Sequence, residues 1–278
     1  LFVNRSRGNS PQFFAFDKQH TRQSRVVPKD EVITLRGDLV HEFNNAVMPI
    51  TNDDIQWLQV VDNGRTIWRS KVIVGKPKNQ TSFFSDEMET VVFNPYWGVP
   101  QSIIVNEMLP KLVNDPGYLD RLGYEVTSQS GRRVSSYNVD WWSYSTHSPV
   151  GVRQPPGRRN ALGEVKFLFP NKHAIYLHDT PTKKLFERNE RAFSHGCVRV
   201  QNPRELAKAV LGWGDTQVAE AIGTGRNTKV SLDSKFKVHL TYFTAWPGAN
   251  GTLHFARDIY DRDTRLTKAL ETTRAAYN

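Results

Sequence analysis

Cysteine occurs once in this 278-residue sequence, within Ser194-His195-Gly196-Cys197-Val198-Arg199-Val200. A lone thiol excludes an intramolecular disulfide and a multi-thiolate zinc site. Two readings remain, a small buried hydrophobe or a nucleophile. A thiol attacks well only once ionised, and a cationic partner such as protonated His brings its pKa from about 8.5 down to about 3.5–7.5. The partner must come within hydrogen-bond reach, and a third group should hold its ring in one tautomer. His178 suits this role, because it ends the apolar run Ala174-Ile175-Tyr176-Leu177 and is followed at once by the turn Asp179-Thr180-Pro181. Gly196 lets the backbone approach a substrate closely. N–H groups at such a strand-to-helix turn can hold a developing oxyanion, worth on the order of 10²–10³ in rate per donor. Arg199 can share a face with Cys197 and take a substrate carboxylate through two parallel hydrogen bonds. Bland readings stand beside these: His195 as a satisfied loop histidine, Arg199 as half of a structural ion pair. His173, His178, His195 and Cys197 could supply four metal ligands, but on an extended strand His173 and His178 are five apart and face opposite sides, which argues against a metal.

The elements that must position these residues read as strands with a few helices. Ile55–Val61 and Arg65–Val74, joined through Asn63-Gly64, form a strand–turn–strand pattern. A third strand is expected at Thr90–Phe93. Pro100 opens a helical stretch through Met108, with a break or kink at Pro110. Asp115-Pro116 begins a second helix that stops at Gly123. A polar segment, Ser128–Ser136, and an aromatic cluster around Trp141, Trp142 and Tyr144 follow. Strands resume at Gly163–Phe169 and Ala174–His178. Asn202-Pro203-Arg204-Glu205 reads as a capped helix start with Leu206, Ala207, Val210 and Leu211 as its buried stripe. A short helix spans about Thr216–Ile222. Val238–Trp246 and Thr252–Tyr260 read as a long β-hairpin. The expected fold class is mainly β with α (α+β), with a helical or loop insertion between strands of the main sheet. Residues 1–48 are expected to be an arm or the remnant of an upstream region, 49–265 the principal domain with the insertion at about 94–152, and 266–278 a tail.

A hydrophobic share of 38% argues against wholesale disorder. No stretch approaches the about 18–20 apolar residues of a membrane span. The chain begins at Leu1 without a charged-then-apolar leader, so the expectation is a processed or trimmed form whose export signal is out of view. The net charge of +9 implies affinity for a polyanion. The basic clusters do not interleave with aromatics at a nucleic-acid-binding spacing, and an anionic cell-envelope polymer suits the charge equally well.

The run from His178 to Val200 resembles the signature of the L,D-transpeptidase (YkuD-type) family, an upstream His followed after a similar gap by Ser/Thr-His-Gly-Cys-X-Arg. Val74-Gly75-Lys76-Pro77, Phe93-Asn94-Pro95-Tyr96-Trp97-Gly98-Val99-Pro100, Asn160-Ala161-Leu162-Gly163 and Tyr176–Pro181 are similar to the large Gram-negative branch, which carries a capping subdomain. The resemblance covers roughly residues 50–265. It implies a β-sandwich core, no cofactor and no metal, and a two-step acyl transfer on a peptidoglycan tetrapeptide stem. In that scheme Cys197 is the nucleophile, His178 the general base and later acid, and the Asp179 carbonyl orients His178. The Gly196 and Cys197 N–H groups form the oxyanion hole. Tyr176, Ser194, His195, Arg199, Trp97 and Trp142 contact substrate, and the segment from Tyr96 to Trp142 acts as a lid. It further implies a periplasmic location, stem peptides as partners, a second stem or an envelope protein as acyl acceptor, and inhibition by carbapenem-type β-lactams. Hydrolysis of the same thioester, and an envelope-binding protein with an idle site, are the competing readings. Asp179 stands where many members have Gly or Ser, and the peptidoglycan-binding module often found in that branch is not evident.

Overall fold

A computed structural model describes residues 2–4, 12–16, 22–26, 56–62, 65–148, 150–247 and 253–277. Most of the expected arm at 1–48 lies outside the described residues. Within it, β1 (Phe2–Asn4), β2 (Gln12–Phe16) and β3 (Arg22–Val26) are short strands. The body begins with β4 (Trp57–Asp62) and β5 (Arg65–Gly75), paired antiparallel as the strand–turn–strand pattern anticipates. β6 spans Phe84–Phe93, 10 residues against the four expected. Its first half carries Asp86, Glu87 and Glu89, which hid the strand, while Met88, Val91 and Phe93 are fully buried.

The chain then leaves the main sheet. β7 (Trp97–Gly98), β8 (Glu125–Ser128), β9 (Arg133–Val134) and β10 (Val150–Gln154) form a separate four-stranded sheet in the order β7-β10-β8-β9, which the sequence did not disclose. Against it pack helix α1 (101–112) and the single turn α2 (Tyr118–Arg121). Pro110 does not break α1. Lacking an N–H, it cannot donate into the helix ladder, and residues Ile104–Met108 widen instead into a π turn in which Leu109 N–H reaches Ile104 O. This insertion has a core of its own, centred on Ile104, Leu112, Leu119, Val126 and Trp141.

The main sheet resumes with β11 (Val165–Leu168), β12 (Leu177–His178), β13 (Ala192–Ser194), β14 (Val198–Val200) and β15 (Thr228–Leu240). Its strand order is β13-β5-β14-β12-β11-β6-β15-β1-β4, and because β4 also pairs with β5 the sheet folds back on itself. The two layers of the expected sandwich are thus continuous through hydrogen bonds. Between them lie Leu58, Val60, Val72, Phe93, Phe167 and Val200. Each such fully buried side chain contributes about 1.5–3 kcal/mol.

Helices α3 (Pro203–Leu211) and α4 (Asp215–Gly223) cover one side. Leu206, Ala207 and Val210 of α3 are buried as expected, and Gly212 ends it at φ +67°. The expected cap differs: Asn202 makes no side-chain cap bond, its N–H donates to Ser70 Oγ at 3.3 Å, and Glu205 pairs with Lys208 rather than reaching back. At the C-terminus, Val238–Leu240 belongs to β15 on β6, and the hairpin is the shorter pair β16 (Ala245–Pro247) and β17 (Leu253–Phe255). The expected tail begins inside helix α5 (Arg262–Tyr277), whose described residues are mostly exposed and so carry no apolar stripe to announce it. No helix among the described residues is long and apolar enough to cross a membrane.

Candidate active site

Three adjacent strands build the site. β12 lies between antiparallel β11 and parallel β14, so Lys166, His178 and Arg199 stand in one row across the sheet. Side chains alternate along a strand, so Tyr176 shares the face of His178, and Cys197 that of Arg199. The Val198 N–H donates to Tyr176 O at 3.1 Å, which sets Cys197 beside Tyr176. Cys197 and His178 are therefore diagonal neighbours on one face, a backbone spacing of about 7–8 Å that side chains can cross.

His178 is 5% exposed, and its Nδ1 lies 2.5 Å from the Asp179 carbonyl oxygen. That oxygen can only accept, so the proton sits on Nδ1 and Nε2 is left as an acceptor. Burial, reinforced by the positive charge of Arg199, holds the His178 pKa down at about 3, against the opposing Asp179 bond. The Cys197 thiol is half-buried, and burial pushes its pKa up. The Tyr176 N–H and hydroxyl, then Lys166 and Arg199, act the other way. The resting pair is a neutral thiol and a neutral imidazole. Cys197 Sγ donates meanwhile to Ala174 O at 3.7 Å.

Several motif residues hold this geometry. Asp179 Oδ2 accepts from the Glu164 N–H at 2.9 Å, and Oδ1 pairs with Lys183 Nζ at 2.5 Å. The carboxyl group fills the space that a side chain at 163 would occupy, and Gly163 has φ +60°, so only glycine fits there. Asn160, 1% exposed, donates to the carbonyls of Pro95, Gln154 and Pro155 and so ties together the two ends of the insertion. Gly75 lies against the backbone of Asn79, and the Thr81 hydroxyl donates to Gly196 O at 2.8 Å.

The remaining expected site residues divide. Tyr176 meets His178 edge-on at 5.6 Å, and its hydroxyl is hydrogen-bonded by the Trp97 indole, which brings the insertion to the site. Burial, then the adjacent Cys197, raises the Tyr176 pKa. Arg199 is half-buried and makes no ion pair among the described residues, so its bland reading has no partner to support it. His195 is exposed, with Nε2 2.7 Å from Glu107 Oε1 of the π turn and 3.3 Å from Lys76 Nζ. One ring nitrogen can donate to the first or accept from the second, not both.

Three further expected residues are placed as follows. Ser194 is 2% exposed and donates to Cys197 O at 2.5 Å while accepting the Gly196 N–H at 3.0 Å, so it braces the turn. The Gly196 N–H is thereby occupied and does not point into an oxyanion hole, whereas the Cys197 N–H has no acceptor among the described residues. Trp142 is 80% exposed and held only through its backbone to Asp140, while neighbouring Trp141 is buried and donates to Ser136 O.

Lys166, Glu107, Lys76 and Thr81 gave no site signal in the sequence, although Lys76 lies in a quoted motif. No group of three His, Cys, Asp or Glu among the described residues is arranged to hold a metal. A cleft of about 570 Å³ is lined by Asp179, Lys183, Glu164 and Arg204, among others, but by neither Cys197 nor His178.

Residues 50–232 match the family model described as YkuD, the L,D-transpeptidase catalytic domain. A curated protein of Haemophilus influenzae, named "Putative L,D-transpeptidase", is 34% identical over 252 residues, or 90% of this chain and 51% of that protein. The chain thus spans about half the length of the curated relative it matches.

Proposed function

Since the chain belongs to the YkuD family of L,D-transpeptidase catalytic domains, we propose that it is a cysteine acyltransferase acting on peptidoglycan stem peptides. The reading rests on one observation: the sole thiol lies diagonally beside a buried histidine whose Nδ1 is tied to the Asp179 carbonyl, leaving Nε2 to accept a proton. In this reading residues 49–265 form the catalytic domain and 94–152 its cap.

Because thiol and imidazole rest neutral, the proton moves during attack. Cys197 Sγ adds to the carbonyl carbon of the L,D-amide as His178 Nε2 takes the thiol proton. The oxyanion accepts a hydrogen bond from the Cys197 N–H. The imidazolium then gives its proton to the departing amine, the amide C–N bond breaks, and D-alanine leaves a thioester on Cys197. An acceptor amine attacks that thioester, loses its proton to His178, and expels the thiolate, which recovers a proton from the imidazolium. A second stem or an envelope protein supplies the amine in the periplasm. The basic surface, with net charge +9, favours an anionic polymer. Water as acceptor would make the same site a carboxypeptidase, and product analysis with and without an added amine separates the two.

Intact-mass measurement after carbapenem exposure tests the assignment. One adduct is expected, abolished in Cys197→Ala and formed much more slowly in His178→Ala. An adduct that persists in Cys197→Ala overturns it.

A further inference from the structure

Lys166 has no task in the reaction as written, yet it stands at its centre. It lies mid-strand on β11, half-buried, directly opposite His178. Its Nζ sits 3.7 Å over the Tyr176 ring. No carboxylate among the described residues pairs with Lys166, and none pairs with Arg199 on the other side of His178. Besides burial, Cys197 acts to favour its charge and Lys229 of the same sheet acts against it. A partly desolvated ammonium without a counter-ion is costly to keep, and burial pulls the Lys166 pKa down accordingly. Adjacent strands are about 4.8 Å apart, so the backbones of Lys166 and Arg199 stand about 10 Å apart with the base between them.

Resting on the acyl-transfer reading, we infer that Lys166 is a second anion-recognition residue. It binds one carboxylate of the acyl-donor peptide while Arg199 binds another. The two cations flank the base, so the carboxylates they take lie on either side of the scissile bond. One is the chain-terminal carboxylate of the departing residue and the other a side-chain carboxylate of the diamino acid that is acylated. The compact ammonium, with the Tyr176 ring on one side, has donors left for one oxygen anion.

The test is a cycle between substrate and enzyme charge. Wild type, Lys166→Gln and Lys166→Arg are assayed with a free-acid tetrapeptide and with two analogues, one carrying a terminal carboxamide and one a side-chain carboxamide. Wild type is expected to prefer the free acid by about 10–100-fold in kcat/KM, the size of a charged hydrogen bond. Lys166→Gln should lose this preference at one of the two carboxylates only, chiefly through KM, and Lys166→Arg should retain it. Alkylation of Cys197 by neutral iodoacetamide should slow only modestly in Lys166→Gln, since the ammonium also favours the thiolate, and the variant should be no less stable than wild type. If Lys166→Gln keeps both preferences, or loses alkylation rate with the preferences intact, Lys166 is only a counter-charge for sulfur and the inference fails. If wild type cleaves none of the three peptides, the acyl-transfer reading itself falls and takes the inference with it.

Discussion

Replacing Gly163 with alanine should disable the site from a position outside it. The added Cβ would stand 2.5 Å from the Asp179 Cβ, so turning the aspartate side chain cannot relieve the contact and the backbone must move. A non-glycine residue at φ +60° costs about 1–2 kcal/mol on its own. Displacing Asp179 also strains its hydrogen bond from Glu164 N–H, a charged bond worth about 1.5–3 kcal/mol. The sum is roughly 3–5 kcal/mol, which in a domain of this size lowers Tm by roughly 6–20 °C. The same residue's carbonyl orients His178, and a displacement of about 1 Å can cost about 10²-fold in rate. Calorimetry and the rate of carbapenem acylation measure the two effects. Asp179→Gly removes the obstructing atoms, so Gly163→Ala added to it should cost only the backbone strain, about 1–2 kcal/mol. A Gly163→Ala protein within about 1 kcal/mol of wild type, or full additivity in the double variant, would refute the reasoning.

Cys197 should alkylate slowly near neutrality, its rate climbing through the alkaline range because burial holds the thiol pKa above its ordinary value; a plateau between pH 4 and 7 would indicate a preformed ion pair instead. His178 has a folded pKa of about 3, below its ordinary value, so the unfolded chain binds the extra proton between the two. Its contribution to stability is full above about pH 6.5 and is lost as pH falls toward 3, and denaturant midpoints should drop across that window. Ser194→Ala should cost about 1–3 kcal/mol in urea unfolding and slow acylation, since it unpins both Gly196 and Cys197 O. Trp142→Ala should leave stability within about 0.5 kcal/mol and acylation unchanged; a large KM effect would return it to the substrate site.

The proposed nucleophile and base, and the turn between them, stand out in the sequence because they lie in contiguous motifs whose chemistry depends on residue type. Lys166 was not. Within Val165-Lys166-Phe167 the alternation shows only that the lysine faces away from the core, and the register with β12 then decides whether that face meets water or His178. The bracing role of Ser194 was not legible either, because only the fold shows its hydroxyl enclosed and spent on its own turn. The long β6 and β15 escaped because charged residues occupy their outer faces, and α5 because an exposed helix needs no apolar stripe.

β12 and β14 run parallel, and the chain between them must cross the domain before they can pair. That crossover is pinned by Arg191, wholly buried and donating to the carbonyls of Val72 and Gln56. Parallel pairing of this kind is a slow, late event in folding, because loop closure comes before any gain from contact. Until it happens the thiol is an ordinary one with no base beside it. In a refolding chain, alkylation of Cys197 followed over time should therefore lag behind strand formation measured by circular dichroism, and thiol behaviour that turns native before the sheet has formed would show that this pairing is not slow.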